Sequence, residues 1–452
     1  MNYKRLLGAA SAALMIVIVI FMLVPGAGAQ SKFKTLHTFT ASGDGSLPYA
    51  SLILDAAGSL YGTASHGGAY GYGVVFKLTS NQDGQWTESV LYSFAGGTDG
   101  AYPGAPLLFD SVGNLYGTTR YGGTGTCALS GPSGCGTVFE LTPNRDGSWS
   151  ETVLYSFTGV PDGFVPAFGG LTFGESGNLY GTTHYGGKVS RNCTNGCGTV
   201  FQLEANLDGS WTESVLYRFD EPNGWNAFGP VVFDEGNIYG TTSNGGGSHG
   251  PNCPPYPGCG AVFELTQNPD GSWTEKILHR FRGQDNGDGG ISYGGLTLAP
   301  SGILYGTTGW GAHPGTGGLF TETPQSNGSW KYHWSYSFQG GKDAAVPWGT
   351  LILDAAGNLY GTTLEGGSGP CQVRLQTRMI ADNGRAYGNG CGTVFKLTPR
   401  KGAWSERVLH SFKNHPGAYP HAGVILDTSG NLYGTTTGDA STTFGTVFEI
   451  TP

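Results

Sequence analysis

The chain of 452 residues carries a net charge of −9, is 12% charged and 12% aromatic, and contains 81 glycines. Low charge with abundant glycine and aromatic residues suits many short strands joined by tight turns, and excludes a helix-rich or disordered chain. No Lys/Arg cluster follows the N-terminal segment, so there is no electrostatic footprint for nucleic acid or an anionic membrane, and neither is expected as a partner.

In chain order, Lys4 and Arg5 precede an apolar run over 6–24 and then the small residues Ala27, Gly28 and Ala29. This pattern predicts a signal peptide over 1–29, cut before Gln30, and a secreted, periplasmic or cell-surface protein. The run is also long enough to span a bilayer, so the alternative to cleavage is an N-terminal anchor. No Cys follows the small residues, which argues against a lipoprotein. Residues 30–452 are expected to form one domain.

The string GNLYGTT then recurs with small changes, its Tyr falling at Tyr61, Tyr116, Tyr180, Tyr239, Tyr305, Tyr360 and Tyr433. Each copy follows an apolar stretch such as SLILD (51–55) and precedes a GTVFxL stretch such as 136–141; all but the last end in a stretch such as VLYSF (90–94). Each stretch is short, rich in β-branched and aromatic residues, and bounded by Gly, Asp, Asn or Pro, which marks strands. Four strands in each of seven repeats predict an all-β, seven-bladed β-propeller of four-stranded blades. The third and fourth strands are joined by DGSW-like turns ending at Trp86, Trp149, Trp211, Trp273, Trp330 and Trp404, where Asp-Gly or Asn-Gly supplies the positive φ of a tight turn.

The phase of the blade follows from steric crowding. The LILD-type strand is preceded by Ala50, Ala105, Gly169, Gly229, Gly294, Gly349 and Ala422, and a ring of small residues is what close backbone approach at a propeller axis demands. LILD is therefore innermost, followed by NLYGTT, GTVF and LYSF. The first strand after the N-terminal segment, KTLHTF (34–39), is of the outermost type, whereas the last unit stops without one. Residues 34–39 should pair antiparallel with 445–450 and close the seventh blade.

The tandem unit, with its NLYGTT, GG and GTVFxLTP segments, resembles the repeat of the bacterial choice-of-anchor GloVer-containing proteins over essentially the whole chain after residue 30. This resemblance implies an exported repeat protein, often with a C-terminal sorting signal. The chain ends at Pro452 directly after its last strand, so a C-terminal anchor is expected to be absent. The unit is also distantly similar to other propeller repeats, a likeness of fold that carries no catalytic residue across.

All eight cysteines lie between the GG after NLYGTT and the Gly that opens GTVF. Two thiols in one loop have a far higher effective concentration for each other than for thiols in other blades. The expected disulfides are therefore Cys127 to Cys135, Cys193 to Cys197, Cys253 to Cys259 and Cys371 to Cys391. The loops offer no His in zinc-ligand spacing, so neither metal nor cofactor is expected.

Catalytic motifs are scarce, with no Gly-x-Ser-x-Gly elbow, phosphate-cradling loop or His-Glu-x-x-His. His37, His279 and His410 share a slot with Tyr92, Tyr155 and Tyr217 and are expected to be structural. His66 and His184 follow NLYGTT where other copies place Arg120, Ser243, Gly309, Leu364 or Thr437, a variable slot of the kind that carries ligand contacts on a rigid scaffold. An acidic position precedes the inner strand at Asp44, Asp99, Asp162, Asp288 and Asp343. Five near-equivalent copies single out no glycosidase pair.

The loops joining second to third strands, and those joining outermost to innermost strands, should emerge on one elaborated face. On that face Tyr49, Phe168, Phe228, Tyr293, Trp348 and His421, broken only by Gly104, start the innermost strands. They are expected to line the channel mouth as a stacking platform, with Asp99, Asp162, Asp288 and Asp343 as nearby acceptors. The alternative is that they wedge between blades as packing. The function expected from this pattern is a non-catalytic binding or scaffold protein recognising an extracellular glycan or a cell-surface partner. The alternative is a propeller enzyme acting on a polysaccharide or lactone.

Overall fold

A computed structural model describes residues 31–127, 133–160, 162–166, 168–247, 258–283, 287–311, 315–371, 390–415, 417–438 and 443–452. The N-terminal segment, with its expected signal peptide, lies outside the described residues. The fold is an all-β propeller of seven four-stranded blades. Blade one runs from the axis outward as Ile53–Leu54, Leu60–Ala64, Val74–Ser80 and Trp86–Ser93, each strand antiparallel to the next. The innermost strands are only two or three residues long, because strands converging on an axis have little room.

Ring closure occurs where the sequence places it. Lys32–Thr38 is the outermost strand of blade seven, pairing antiparallel with Thr446–Thr451 in the register Lys34 to Glu449 and Thr38 to Thr446. The Phe39 amide extends the ladder to the Gly445 carbonyl at 3.0 Å. No open edge remains between the ends of the chain.

Two rings of contacts hold neighbouring blades together. Near the axis the small residues touch: a Cβ on Gly229 would lie 2.3 Å from the Gly295 nitrogen, and one on Gly349 2.1 Å from the Gly423 nitrogen, so nothing larger fits at either position. The first Thr of NLYGTT stitches the same ring by donating its hydroxyl to the next blade's backbone, as in Thr241 to Gly294 O at 3.0 Å and, across the closure, Thr435 to Ala50 O at 3.1 Å. Farther out, the Phe ending each outermost strand meets the Phe of the next blade's GTVF edge to face. Phe39 with Phe76 (5.2 Å), Phe219 with Phe263 (5.2 Å) and Phe338 with Phe395 (4.9 Å) are three of seven such pairs. Nearly all these rings are fully buried; burying each contributes about 1.5–3 kcal/mol, with about 1 kcal/mol more from edge-to-face geometry.

Candidate binding site

The elaborated face is built from the approach to each innermost strand. Antiparallel bridges of Ser46 with His66, Phe164 with Tyr185 and Trp225 with Asn244 tie the outer-to-inner loops to the segments that follow NLYGTT, so both loop sets share one face. Two or three residues before the ring position, every blade places a non-glycine residue at positive φ: Leu47 (56°), Tyr102 (57°), Val165 (60°), Asn226 (57°), Ile291 (57°), Val346 (58°) and Tyr419 (60°). For β-branched Val165, Ile291 and Val346 this left-handed conformation is strained, and it persists because both backbone groups are claimed. The Val165 amide donates to Cys135 O (3.0 Å) while its carbonyl accepts from the His184 amide (3.1 Å). The Ile291 amide likewise donates to Cys259 O (2.8 Å), and its carbonyl accepts from the Gly309 amide (2.9 Å).

This kink turns the ring position toward the axis, where the six side chains meet one another. Tyr49 lies 5.2 Å from His421, His421 5.5 Å from Trp348, and Trp348 is stacked on Tyr293 at 3.9 Å. Tyr293 then lies 5.5 Å from Phe228, and Phe228 5.2 Å from Phe168. The six rings thus form one continuous arc contributed by six blades, most of them half-buried. The seventh sector, vacated by Gly104, is occupied by Arg120, whose guanidinium lies 5.6 Å from the Phe168 ring and 5.3 Å from Tyr121.

Two imidazoles complete the collar in neutral form. His184 packs edge to face on Phe228 at 4.5 Å, and burial, helped by the Arg120 charge, pushes it down to about 3. His421 is pushed down to about 4 by burial; its Nδ1 lies 3.0 Å from Tyr419 O and 3.1 Å from the Thr437 hydroxyl. The pairing of Phe164 with Tyr185 and of Ala101 with Tyr121 sets His66 level with those two tyrosines and leaves Ser65 in the slot of Arg120 and His184. The expected equivalence of His66 and His184 is corrected accordingly: a shift of one residue along a strand puts a side chain on the opposite face.

The Asp series is placed differently. Its carboxylates are bonded outward, to the Tyr/His slot of the preceding outermost strand and to the amides of their own loop. Asp99 accepts from the Tyr92 hydroxyl (3.2 Å) and the Ala95 amide (2.7 Å), and Asp162 from the Tyr155 hydroxyl (2.7 Å). Asp288 is bonded by His279 (2.9 Å) and the Tyr332 hydroxyl (2.6 Å), and Asp343 accepts from the Gln339 amide (2.7 Å). None of the hydrogen bonds of these carboxylates among the described residues reaches the aromatic collar.

Against these aspartates stands a row of acids that sequence reasoning passed over. Glu88, Glu151, Glu213, Glu275 and Glu406 occupy one position of the outermost strand, facing Leu78, Leu141, Leu203, Leu265 and Leu397. Desolvation is the largest cause that pushes the first four up to about 7 and Glu406 up to about 9, with a neighbouring Asp adding to it. In blade five Tyr332 takes that slot and the acid moves to the facing residue Glu322, fully buried and pushed up to about 8 by desolvation and Asp288. In blade seven Phe33 fills the slot and stacks on His410 at 3.9 Å, and there the Asp position is Pro416. Blade seven thus lacks both the row acid and the Asp, whereas blade four keeps Glu275 with Asn223 at the Asp position and takes its neighbouring charge from Asp220. The legible signal was the Glu recurring two residues after the turn Trp.

Disulfides join Cys127 to Cys135, Cys193 to Cys197 and Cys371 to Cys391. Cys259 is also disulfide-bonded, and Cys253 lies outside the described residues. The second cysteine of each loop is fully buried and supplies the carbonyl that holds the next blade's strained residue. In the other blades Tyr72, Thr316 and Phe444 supply it. The staples therefore fix the points from which the collar is hung. Among the described residues no group of three or more His, Cys, Asp or Glu side chains is placed to hold a metal, and no helix is long and apolar enough to cross a membrane.

Fold and collar together define a disulfide-stapled, seven-bladed repeat propeller with an aromatic axial mouth. The Gloeobacter/Verrucomicrobia repeat matches over residues 19–191 and 124–372, and the chain belongs to this family. No curated protein matches the chain. Among solved structures, the polysaccharide lyase Uly1 is similar at 11% identity and a TM-score of 0.49, covering 88% of this chain and 89% of its own. A putative glucose dehydrogenase of Thermus thermophilus aligns at 14% identity and a TM-score of 0.38, covering 93% of this chain and all of its own. A xylan β-1,4-xylosidase of Bacillus halodurans aligns at 15% identity and a TM-score of 0.35, covering 64% and 55%. These are likenesses of fold, and no activity passes from them to this chain.

Proposed function

We propose that this protein is an exported binding propeller that recognises carbohydrate at its axial collar. The observation that carries the reading is the unbroken arc of Tyr49, His421, Trp348, Tyr293, Phe228 and Phe168, six rings from six blades meeting at the centre of the loop-bearing face. Flat apolar faces with polar tips suit the C–H faces and hydroxyls of sugar rings, and a rigid rim bearing loops of varied length is the place for specificity. Disulfides in the described loops support a location outside the reducing cytosol, as the expected signal peptide requires.

A glycan array on the disulfide-intact chain tests this, followed by titration of any hit against wild type, Trp348→Phe and Trp348→Ala. Binding that survives Trp348→Phe and falls at least about tenfold in Trp348→Ala, with an unchanged melting temperature, supports the platform. A large fall in melting temperature with binding unaffected assigns the ring to packing. Chromatography of the hit after prolonged incubation distinguishes capture from cleavage, and shortened products would replace this reading with the enzymatic one.

A further inference from the structure

The collar has one sector without a ring of its own, at Gly104, and the side chain that fills it is a cation. Arg120 reaches there from the end of its blade's second strand, lies over Phe168 at 5.6 Å, and is exposed. It takes part in none of the ion pairs seen among the described residues, such as Lys188 with Asp220 and Lys276 with Glu264. Its charge is felt by Tyr49 on one side and His184 on the other, so it stands between the two ends of the arc.

Among the described residues no carboxylate is paired with this charge. His184 and His421 are neutral, and the carboxylates of Asp99, Asp162, Asp288 and Asp343 are bonded to outermost-strand hydroxyls, imidazole or loop amides. The side chains beside it, Phe168 and Tyr121, are rings and not acids. A guanidinium set against an aromatic face keeps its outer edge of N–H donors available, and that edge matches a carboxylate with two parallel hydrogen bonds.

Resting on the carbohydrate reading above, we propose that the collar selects acidic glycans: a uronate residue lies on the rings flanking the Gly104 sector, Phe168 and Tyr49, and Arg120 holds its carboxylate. The flat rings supply affinity for the sugar face that a neutral glycan shares. Arg120 supplies the discrimination. A sulfate ester is the other anionic group found on extracellular glycans; the planar fork of Arg120 fits the planar carboxylate, and the experiment separates the two.

The test titrates a panel of uronate oligosaccharides, each beside its carboxyl-reduced neutral form, together with a sulfated glycan free of uronate. The proteins are the wild-type chain, Arg120→Lys and Arg120→Gln. Wild type should bind a uronate oligomer at least about tenfold tighter than its reduced form. Arg120→Gln should abolish that ratio, and Arg120→Lys should keep part of it. An equal affinity for acid and reduced forms, a preference that survives Arg120→Gln, or tighter binding of the sulfated glycan overturns the inference while leaving the carbohydrate reading in place. Binding of none of these sugars, nor of any on the array, overturns the carbohydrate reading itself.

Discussion

Glu322 offers the sharpest perturbation of the buried acid row. Both its carboxyl oxygens are buried without a hydrogen-bond partner among the described residues, and Asp288 beside it is bonded by His279 and Tyr332. Desolvation and the Asp288 charge push Glu322 up to about 8 from an ordinary 4.5. At pH 7 it is therefore protonated in the fold and ionised in the unfolded chain, which costs the fold about 3 kcal/mol. For a carboxyl raised in this way, the stabilisation is complete below about 4.5 and is lost as the pH climbs through about 8. Glu322→Gln keeps the shape and cannot ionise. It should stabilise the protein by about 2–3 kcal/mol at pH 7 and change little at pH 4. Buried His184, His410 and His421, all lowered, act in the opposite sense as the pH falls below about 6.5, so the informative quantity is the variant minus wild type at each pH. Melting curves at a fixed scan rate from pH 4 to 8.5 measure it. A difference that stays flat across that range, or a variant less stable at pH 7, would refute the assignment of a protonated Glu322.

Other expectations follow from single contacts. Gly229→Ala drives a methyl into the backbone of Gly295 and should cost about 3 kcal/mol or more, whereas Gly43→Ala, with nothing within 4 Å of the added atom, should be neutral; denaturant midpoints of the two compare them directly. Deleting residues 31–39 removes the outermost strand of blade seven and Phe39 from its pair with Phe76, so calorimetry should show a lowered, less cooperative transition. Replacing both Cys371 and Cys391 by Ser opens a loop of sequence separation 20 and should destabilise by about 3 kcal/mol. Peptide mapping without reduction should give only within-loop links, those of Cys253 with Cys259 included, and any blade-to-blade link contradicts the pairing.

Much of this architecture could be read from the repeat. Strand order, closure by residues 34–39 and the ring of small residues all follow from patterns at one repeat position, such as the Gly and Ala run at 50, 105, 169, 229, 294, 349 and 422. The collar residues were legible for the same reason. Features that join two different positions were harder to see. Arg120 fills the gap at Gly104 from another strand, and no spacing rule connects a missing side chain to a long one that replaces it. The acid row was hidden because each Glu meets an Asp that enters its own blade from the preceding loop, as Glu88 meets Asp44, and a lone Glu in a strand reads as a solvated face. The strained residue before Pro48, Pro103, Pro166, Pro347 and Pro420 left a trace in the recurring proline, but its positive φ is held by hydrogen bonds to residues distant in sequence, from its amide to the previous blade and to its carbonyl from the segment after NLYGTT.

The most direct measurement of glycan capture at the collar is a crystal structure of the disulfide-intact chain soaked with the tightest glycan from the array. A sugar ring should lie across the collar in contact with Trp348, Tyr49 or Phe168, with its acidic group at Arg120. A sugar ordered elsewhere, in a groove between blades or on the plain face, with the collar rings unchanged and unoccupied, would contradict it.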